Sequence, residues 1–329
     1  MALRTALIGV GYWGKNYVRV IGELSQMFKL VGIVDSRGSE YLAKWSRPDL
    51  KLTSDLDDII DELDCVIIAT PAKTHYDIVK KCLEKHKHVL VEKPLTLSSS
   101  ESGELVDLAQ LNNVVLMVGF TVLFIPGFRF LKKYVQDNDP EKIHYIYAKR
   151  TNLGIVRTDC DVVHDLTSHD LATVISLMGG ILPQQVCAVG GSYVNQGISD
   201  VGFITLRYPD NVLINLHTSW IDSKKSRELV VVSQDYRIEF DDTNIHEPVR
   251  ICLKTINNMN GVNIDKDIHI PQVEWVEPLK SEVVHFYKLI CDTEEGRDIS
   301  TGDLGLKVNI VMDAIEKSIA HGGGLITIP

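Results

Sequence analysis

Short apolar runs rich in β-branched residues recur through the first third of the chain, at 4–10, 28–35, 65–70, 88–92 and 114–118. Between them lie segments whose apolar positions repeat with helical period, as at 74–87 and 98–111. Strands that are apolar on both sides, alternating with amphipathic helices, predict a parallel sheet covered on both faces. The rhythm changes after residue 122. The pattern there predicts a helix over 126–136, a strand over 142–150, a loop over 151–163 and a helix over 165–178. From 184 to 275, strand-like runs are separated by turn signals such as Pro209-Asp210-Asn211 and Gln234-Asp235, which predicts antiparallel hairpins. Two helices, 278–293 and 302–321, close the chain. The expected class is therefore α/β. A doubly wound parallel sheet occupies 1–122, and an α+β domain with a large, mainly antiparallel sheet occupies 123–329, its last helix able to pack back towards the first domain.

Composition narrows the partners. The 329 residues suit about two domains, and 45% hydrophobic with 24% charged residues is ordinary for a globular protein. A net charge of −10 argues against a nucleic-acid surface, while local amides and arginines can still hold a small anion. Six cysteines at 65, 82, 160, 187, 252 and 291 are too scattered for a zinc knuckle or a redox pair. No metal is expected, and the thiols are expected reduced in a cytoplasmic protein. The first apolar run leads into Gly9 rather than a cleavage site, and no stretch is long enough to span a membrane.

Gly9-Val10-Gly11-Tyr12-Trp13-Gly14 follows the first predicted strand and opens a helix. Such a turn aims backbone N–H groups and the helix dipole at a pyrophosphate. Asp35 ends the second strand, 21 residues past Gly14, where an acid accepts the ribose hydroxyls of NAD and repels the 2′-phosphate of NADP. Ser36 and Arg37 follow it, and the arginine could stack on adenine or pair with a phosphate. Thr70-Pro71 and Glu92-Lys93-Pro94 fall at carboxyl ends of predicted strands, the edge where ligands of open α/β sheets bind. His75 lies just beyond the first of these, and Lys93 is expected beside the nicotinamide. Asp165 and His169 are four residues apart, so on a helix the carboxylate can orient the imidazole for proton transfer. The plainer alternative is a helix N-terminal charge and a first-turn histidine.

These motifs, with Ala69-Thr70-Pro71-Ala72-Lys73-Thr74-His75-Tyr76, Asn152-Leu153-Gly154, Arg157, Asp159 and Asp165-Leu166-Thr167-Ser168-His169-Asp170, resemble the glucose–fructose oxidoreductase/inositol dehydrogenase family over nearly the whole chain. The Gly-Tyr-Trp-Gly and Asn-Leu-Gly stretches look most like the branch that oxidises nucleotide-activated amino sugars at C3. The resemblance implies that Lys93, Asp165 and His169 are catalytic. It implies NAD as cofactor and a UDP-sugar as substrate, gripped by Asn152 and Arg157 together with Lys93 and His169. Phe120, Phe124, Ile125 and His164 depart from that branch, where His, Tyr, Asn and Trp are usual. The expected activity is NAD-dependent oxidation of the C3 hydroxyl of a UDP-GlcNAc-type sugar. The rivals are a keto-sugar reductase, an inositol or polyol dehydrogenase, and a non-catalytic NAD-binding regulator. Leu206, Leu213, Leu216, Val230, Val231 and Val232 belong to strands too apolar for a fully solvated sheet, so one face of the sheet is expected to serve self-association as a homodimer or homotetramer.

Overall fold

The computed structural model describes residues 2–154, 156, 157, 160–257, 261–293 and 299–329. Asp159 lies outside the described residues. The chain divides into two compact units, Met1–Thr121 with Glu277–Asn309, and Val122–Val276 with Ile310–Pro329.

In the first unit the order is β1 (Leu3–Ile8), α1 (Gly14–Glu23), β2 (Phe28–Val34), α2 (Gly38–Leu42), β3 (Lys51–Thr53), β4 (Cys65–Ile68), α3 (His75–Glu84), β5 (His88–Glu92), α4 (Ser99–Leu111) and β6 (Leu116–Gly119). The strands form one parallel sheet in the order β3-β2-β1-β4-β5-β6. Every residue of β4 is buried, because helices cover both faces and leave no side for polar residues. Ser98 caps α4 by accepting from the Glu101 N–H at 3.3 Å, which fixes where that helix starts.

The second unit contributes α5 (Pro126–Asp137), β7 (Ile143–Leu153), α6 (Ser168–Leu177), β8 (Gln185–Gly191), β9 (Val201–Arg207), β10 (Leu213–Ser219), β11 (Ile221–Ser233), β12 (Tyr236–Asp241), β13 (Val249–Asn257) and β14 (Gly261–His269). Then come α7 (Pro278–Ile290), which returns to the first unit, α8 (Gly302–Ala320) and β15 (Ile326–Thr327). The boundary between the units falls inside α8, between Asn309 and Ile310. In the first unit Phe286 of α7 stacks on Phe28 of β2 with ring centroids 6.4 Å apart, and both rings are buried. Burial of each such side chain contributes about 1.5–3 kcal/mol.

The second sheet has nine strands in the order β14-β13-β12-β11-β7-β10-β9-β8-β15. All its pairings are antiparallel except β7 with β10. On one face Ile146, Ala148, Ile204, Leu206, Ile214 and Leu216 are buried, and α5 packs on β12 and β13. The opposite face leaves Tyr145, Val189, Phe203 and Leu213 exposed. Of the residues that make these strands apolar, Leu206, Leu216, Val230, Val231 and Val232 are buried within the chain, and Leu213 lies on the open face. The strand period of two explains Leu206 and Leu216, which point to the buried face rather than outwards.

Candidate active site

In the first unit, the turn between β1 and α1 is shaped by its glycines. Gly9 has φ +87°, and a Cβ there would lie 2.7 Å from Ala69 O. A Cβ on Gly14 would lie 2.1 Å from Gly9 O. These two glycines are demanded by the chain's own packing. Gly11 is different: a Cβ there would meet only Arg37 Nη2, at 3.9 Å. Space kept open above a backbone turn at a helix N-terminus is what a pyrophosphate requires. The first turn of α1 carries no acidic residue to compete with it, and Tyr12 and Trp13 stand exposed beside it.

Asp35 is buried at the end of β2. Its Oδ2 accepts from the Val10 N–H at 3.0 Å and from Arg37 Nη2 at 2.5 Å. Its Oδ1 accepts from Arg37 Nε at 2.7 Å and the Arg37 N–H at 3.1 Å. Burial works to raise this carboxyl, but the bonds from Arg37 and Val10 prevail and hold it below the usual aspartate range. The Arg37 guanidinium lies 3.6 Å over the Tyr41 ring, and Tyr41 donates to Val10 O at 3.0 Å. Arg37 is thus committed to Asp35, while Ser36 is exposed.

His75 is fully buried at the start of α3. Its Nδ1 faces Pro94 O at 2.8 Å and its Nε2 faces Thr70 O at 2.9 Å. The ring ties the end of β4, with Thr70 and Pro71, to the Glu92-Lys93-Pro94 turn. Burial keeps this imidazole below the ordinary histidine range against the pull of the two carbonyls. Glu92 faces inward: Tyr17 donates to its Oε1 at 2.8 Å and the Lys93 N–H donates to its Oε2 at 3.2 Å. Tyr17 lies within hydrogen-bonding distance of a second carboxyl, Glu282 of α7, at 3.0 Å. The sequence reading missed Tyr17 and Glu282. Only the two buried polar side chains in otherwise apolar helix faces hinted at them.

In the second unit, the expected single helix over 165–178 is two segments. Val163–Thr167 forms a π-helical turn, and α6 begins at Ser168. Gly202 of β9 accommodates the turn, since a Cβ there would meet Val163 Cγ2 at 2.8 Å. Asp165 lies in the turn, where the Trp220 indole N–H donates to its Oδ2 at 3.3 Å and Arg157 Nη1 stands 3.5 Å from its Oδ1. Trp220 is buried. The structure thus brings Arg157 to Asp165. His169 is half-buried in the first turn of α6. The next residue, Asp170, is buried and accepts from Arg150 Nε at 2.9 Å, which pins that turn to β7. Asn152 ends near Gly154, where a Cβ would lie 2.3 Å from its Nδ2.

His164 opens the π turn. Its N–H and Nδ1 both bond Asp161 Oδ1, at 2.9 and 2.8 Å, and its Nε2 bonds Glu316 of α8. The bond to Asp161, then that to Glu316, raises this imidazole to about 10 against the cost of burial. Among the described residues no cluster of three or more His, Cys, Asp or Glu could hold a metal ion, and no helix is long and apolar enough to cross a membrane.

A glycine turn open at Gly11, an acid at the end of β2 and a lysine turn at the end of β5 are the parts of a dinucleotide site. The family description "Oxidoreductase family, NAD-binding Rossmann fold" matches residues 3–120, and that of the GFO/IDH/MocA C-terminal domain matches 156–240. The chain belongs to the GFO/IDH/MocA oxidoreductase family. As a member, it is an NAD-binding oxidoreductase whose relatives include dehydrogenases acting on sugar hydroxyls. The UDP-N-acetylglucosamine 3-dehydrogenase of Acidithiobacillus ferrooxidans is 25% identical over 94% of this chain and 97% of its own. Its solved structure covers 98% of this chain and 99% of its own, with TM-score 0.80 and 23% identity. Inositol 2-dehydrogenase of Rhizobium meliloti is 26% identical over 98% of each chain. The WlbA dehydrogenase of Bordetella pertussis, solved with NADH and UDP-GlcNAcA, shares the fold at TM-score 0.81 and 16% identity, covering 100% of this chain and 99% of its own. The two matched regions of this GFO/IDH/MocA chain contain Lys93 on one side and Asp165 with His169 on the other.

Proposed function

We propose that this chain oxidises one ring hydroxyl of a nucleotide-linked sugar, the C3 hydroxyl of a UDP-GlcNAc-type substrate, to a ketone. The observation that carries the reading is the anchoring of Asp165. A buried indole N–H fixes this carboxylate in a π turn that runs directly into the helix bearing His169. Such turns inside helices are frequent at functional sites, and a fixed carboxylate is what keeps a proton-accepting imidazole oriented. His169 takes the hydroxyl proton, Asp165 steadies the imidazolium, and Lys93 hydrogen-bonds the same oxygen and offsets its developing charge. Bound NAD supplies the acceptor for the hydride leaving the carbon. Arg157 and Asn152 serve the substrate side, and Arg157 also steadies Asp165.

The UDP-sugar assignment is supported by the relative from A. ferrooxidans and by the sugar nucleotide bound to WlbA. A polyol is the second reading. Inositol 2-dehydrogenase is as similar over the whole chain, and Phe120 and Phe124 are buried apolar rings where the amino-sugar branch carries polar residues. The enzyme acts in the cytoplasm as a homodimer or homotetramer. Nucleotide released on denaturation identifies the cofactor, and NADH formation is then followed across UDP-sugars and free polyols. Turnover of UDP-GlcNAc or its uronate supports the first reading, and turnover of inositol alone replaces it.

A further inference from the structure

Buried Tyr17 and Glu282 and half-buried Glu92 make a cluster behind Lys93, all within the first unit. Tyr17 and Glu282 are wholly inaccessible to solvent. The tyrosine oxygen stands 2.8 Å from Glu92 Oε1 and 3.0 Å from Glu282 Oε1. A phenol has one hydrogen, so it can donate to only one carboxylate. The other contact requires a proton on the second acid, or it sets two oxygen lone pairs against each other in a dry interior.

The surroundings decide which acid holds the proton. Glu92 accepts from the Lys93 N–H at 3.2 Å and lies 2.8 Å from the Tyr17 hydroxyl, with the Lys93 charge adjacent. Glu282 faces Tyr17 and the negative Glu92, its Oε2 has no hydrogen-bond partner, and among the described residues no cation offsets it. We propose that Glu282 is a protonated positioning residue: its carboxylic acid donates to Tyr17, Tyr17 donates to ionised Glu92, and Glu92 thereby holds the start of α1 and the Lys93 turn in register. Burial first, and the neighbouring Glu92 second, push Glu282 far above the ordinary glutamate range, which agrees with this order. The two acids titrate as a pair.

One net charge in the cluster lets two acids share one hydroxyl. Loss of the shared proton at alkaline pH would set two anions against each other and displace Glu92 from both the start of α1 and the Lys93 turn. The folded chain holds a proton that the unfolded chain releases above the ordinary glutamate pKa. The cluster's stabilisation is therefore full at low pH and falls away as pH rises through its folded pKa.

The inference rests on the dehydrogenase reading only for its effect on turnover, so the test begins without a sugar. Infrared difference spectra of the full-length chain, wild type minus E282Q, are expected to show the carbonyl stretch of a protonated carboxylic acid that persists at neutral pH. Fluorescence titration with NADH is expected to show E282A weakened about 10- to 100-fold, as for loss of a residue supporting a binding group, with E282Q restoring affinity because its amide also donates to Tyr17. E282Q should also abolish the alkaline loss of NADH affinity and of thermal stability seen in wild type. Absence of the acid band in wild type, or an E282Q variant as impaired as E282A, overturns the proposal. If E282Q does not fold, the wild-type band and its shift in Y17F decide, because an unmoved band means no bond to Tyr17. If no sugar or polyol is turned over while the band and the rescue hold, the substrate reading fails and this one stands.

Discussion

His169 and Lys93 carry the chemistry proposed for single residues, and they can be tested apart from cofactor binding. Lys93→Ala and His169→Ala are each expected to lower turnover about 100- to 10,000-fold. NAD affinity should be largely kept, since most dinucleotide contacts are expected from the Gly11 turn and Asp35. Asp165→Asn should cost less than His169→Ala, because it weakens orientation without removing the base. Steady-state rates at saturating NAD and a direct NAD titration separate these effects. If both alanine variants keep near wild-type rates, neither side chain is the acid or base of the reaction and the proton travels by another route. A second prediction concerns Asp35. Arg37 offsets its charge through two side-chain bonds, so Arg37→Ala should widen the preference for NAD over NADP and Asp35→Ala should narrow it. Dissociation constants for both nucleotides at one ionic strength give the answer, and tighter NADP binding by wild type would remove the role given to Asp35. Residues in local patterns were legible: the glycine turn, Asp35, Lys93 and His169 all stand at fixed offsets from strands or helix starts. Glu282 was not, because its partner Tyr17 is 265 positions away and neither side chain belongs to a motif.

Elements followed the apolar pattern wherever burial was one-sided or complete. The strands of the first sheet are short and buried on both faces, so their sequences differ sharply from the flanking helices. β3 escaped detection, being three residues long and half-exposed at the sheet edge. The π turn escaped as well, since one widened turn shifts the apolar phase too little to show over a short window. That turn is clamped by His164, and the clamp should titrate. Its bonds to Asp161 and Glu316 raise the imidazole, so their stabilisation is complete below the ordinary histidine pKa and is lost as pH rises through about 10. His164→Gln should lower stability at neutral pH by about 1 kcal/mol for each charge-assisted bond lost, with the deficit shrinking towards alkaline pH. Thermal melts of both proteins across that range measure it, and a pH-independent deficit would mean that the histidine acts by shape alone.

For the whole molecule, the face of the second sheet that leaves Tyr145, Val189, Phe203 and Leu213 exposed is the surface proposed for self-association. Phe203 stacks on His217 with ring centroids 4.4 Å apart, in a row with Val189 of the neighbouring strand, and Tyr145 and Leu213 form another pair. Exposed apolar residues in adjacent rows mark a contact surface. Sedimentation of wild type is expected to show a dimer or tetramer at micromolar concentration, and Phe203→Glu should shift it towards monomer without unfolding it. Wild type that sediments as a monomer rejects the assembly. The alternation of units along the chain has a consequence for biogenesis. The first unit is completed by Glu277–Asn309, which brings Glu282, Phe286 and Asn309 to the early strands and loops. A ribosome therefore releases the first 121 residues with these supports still unmade, and translates strands β7 to β14 of the second sheet before they emerge. The nascent N-terminal part waits, incompletely packed, for a segment that follows those eight strands, so a premature stop within them leaves the first unit without its supports too.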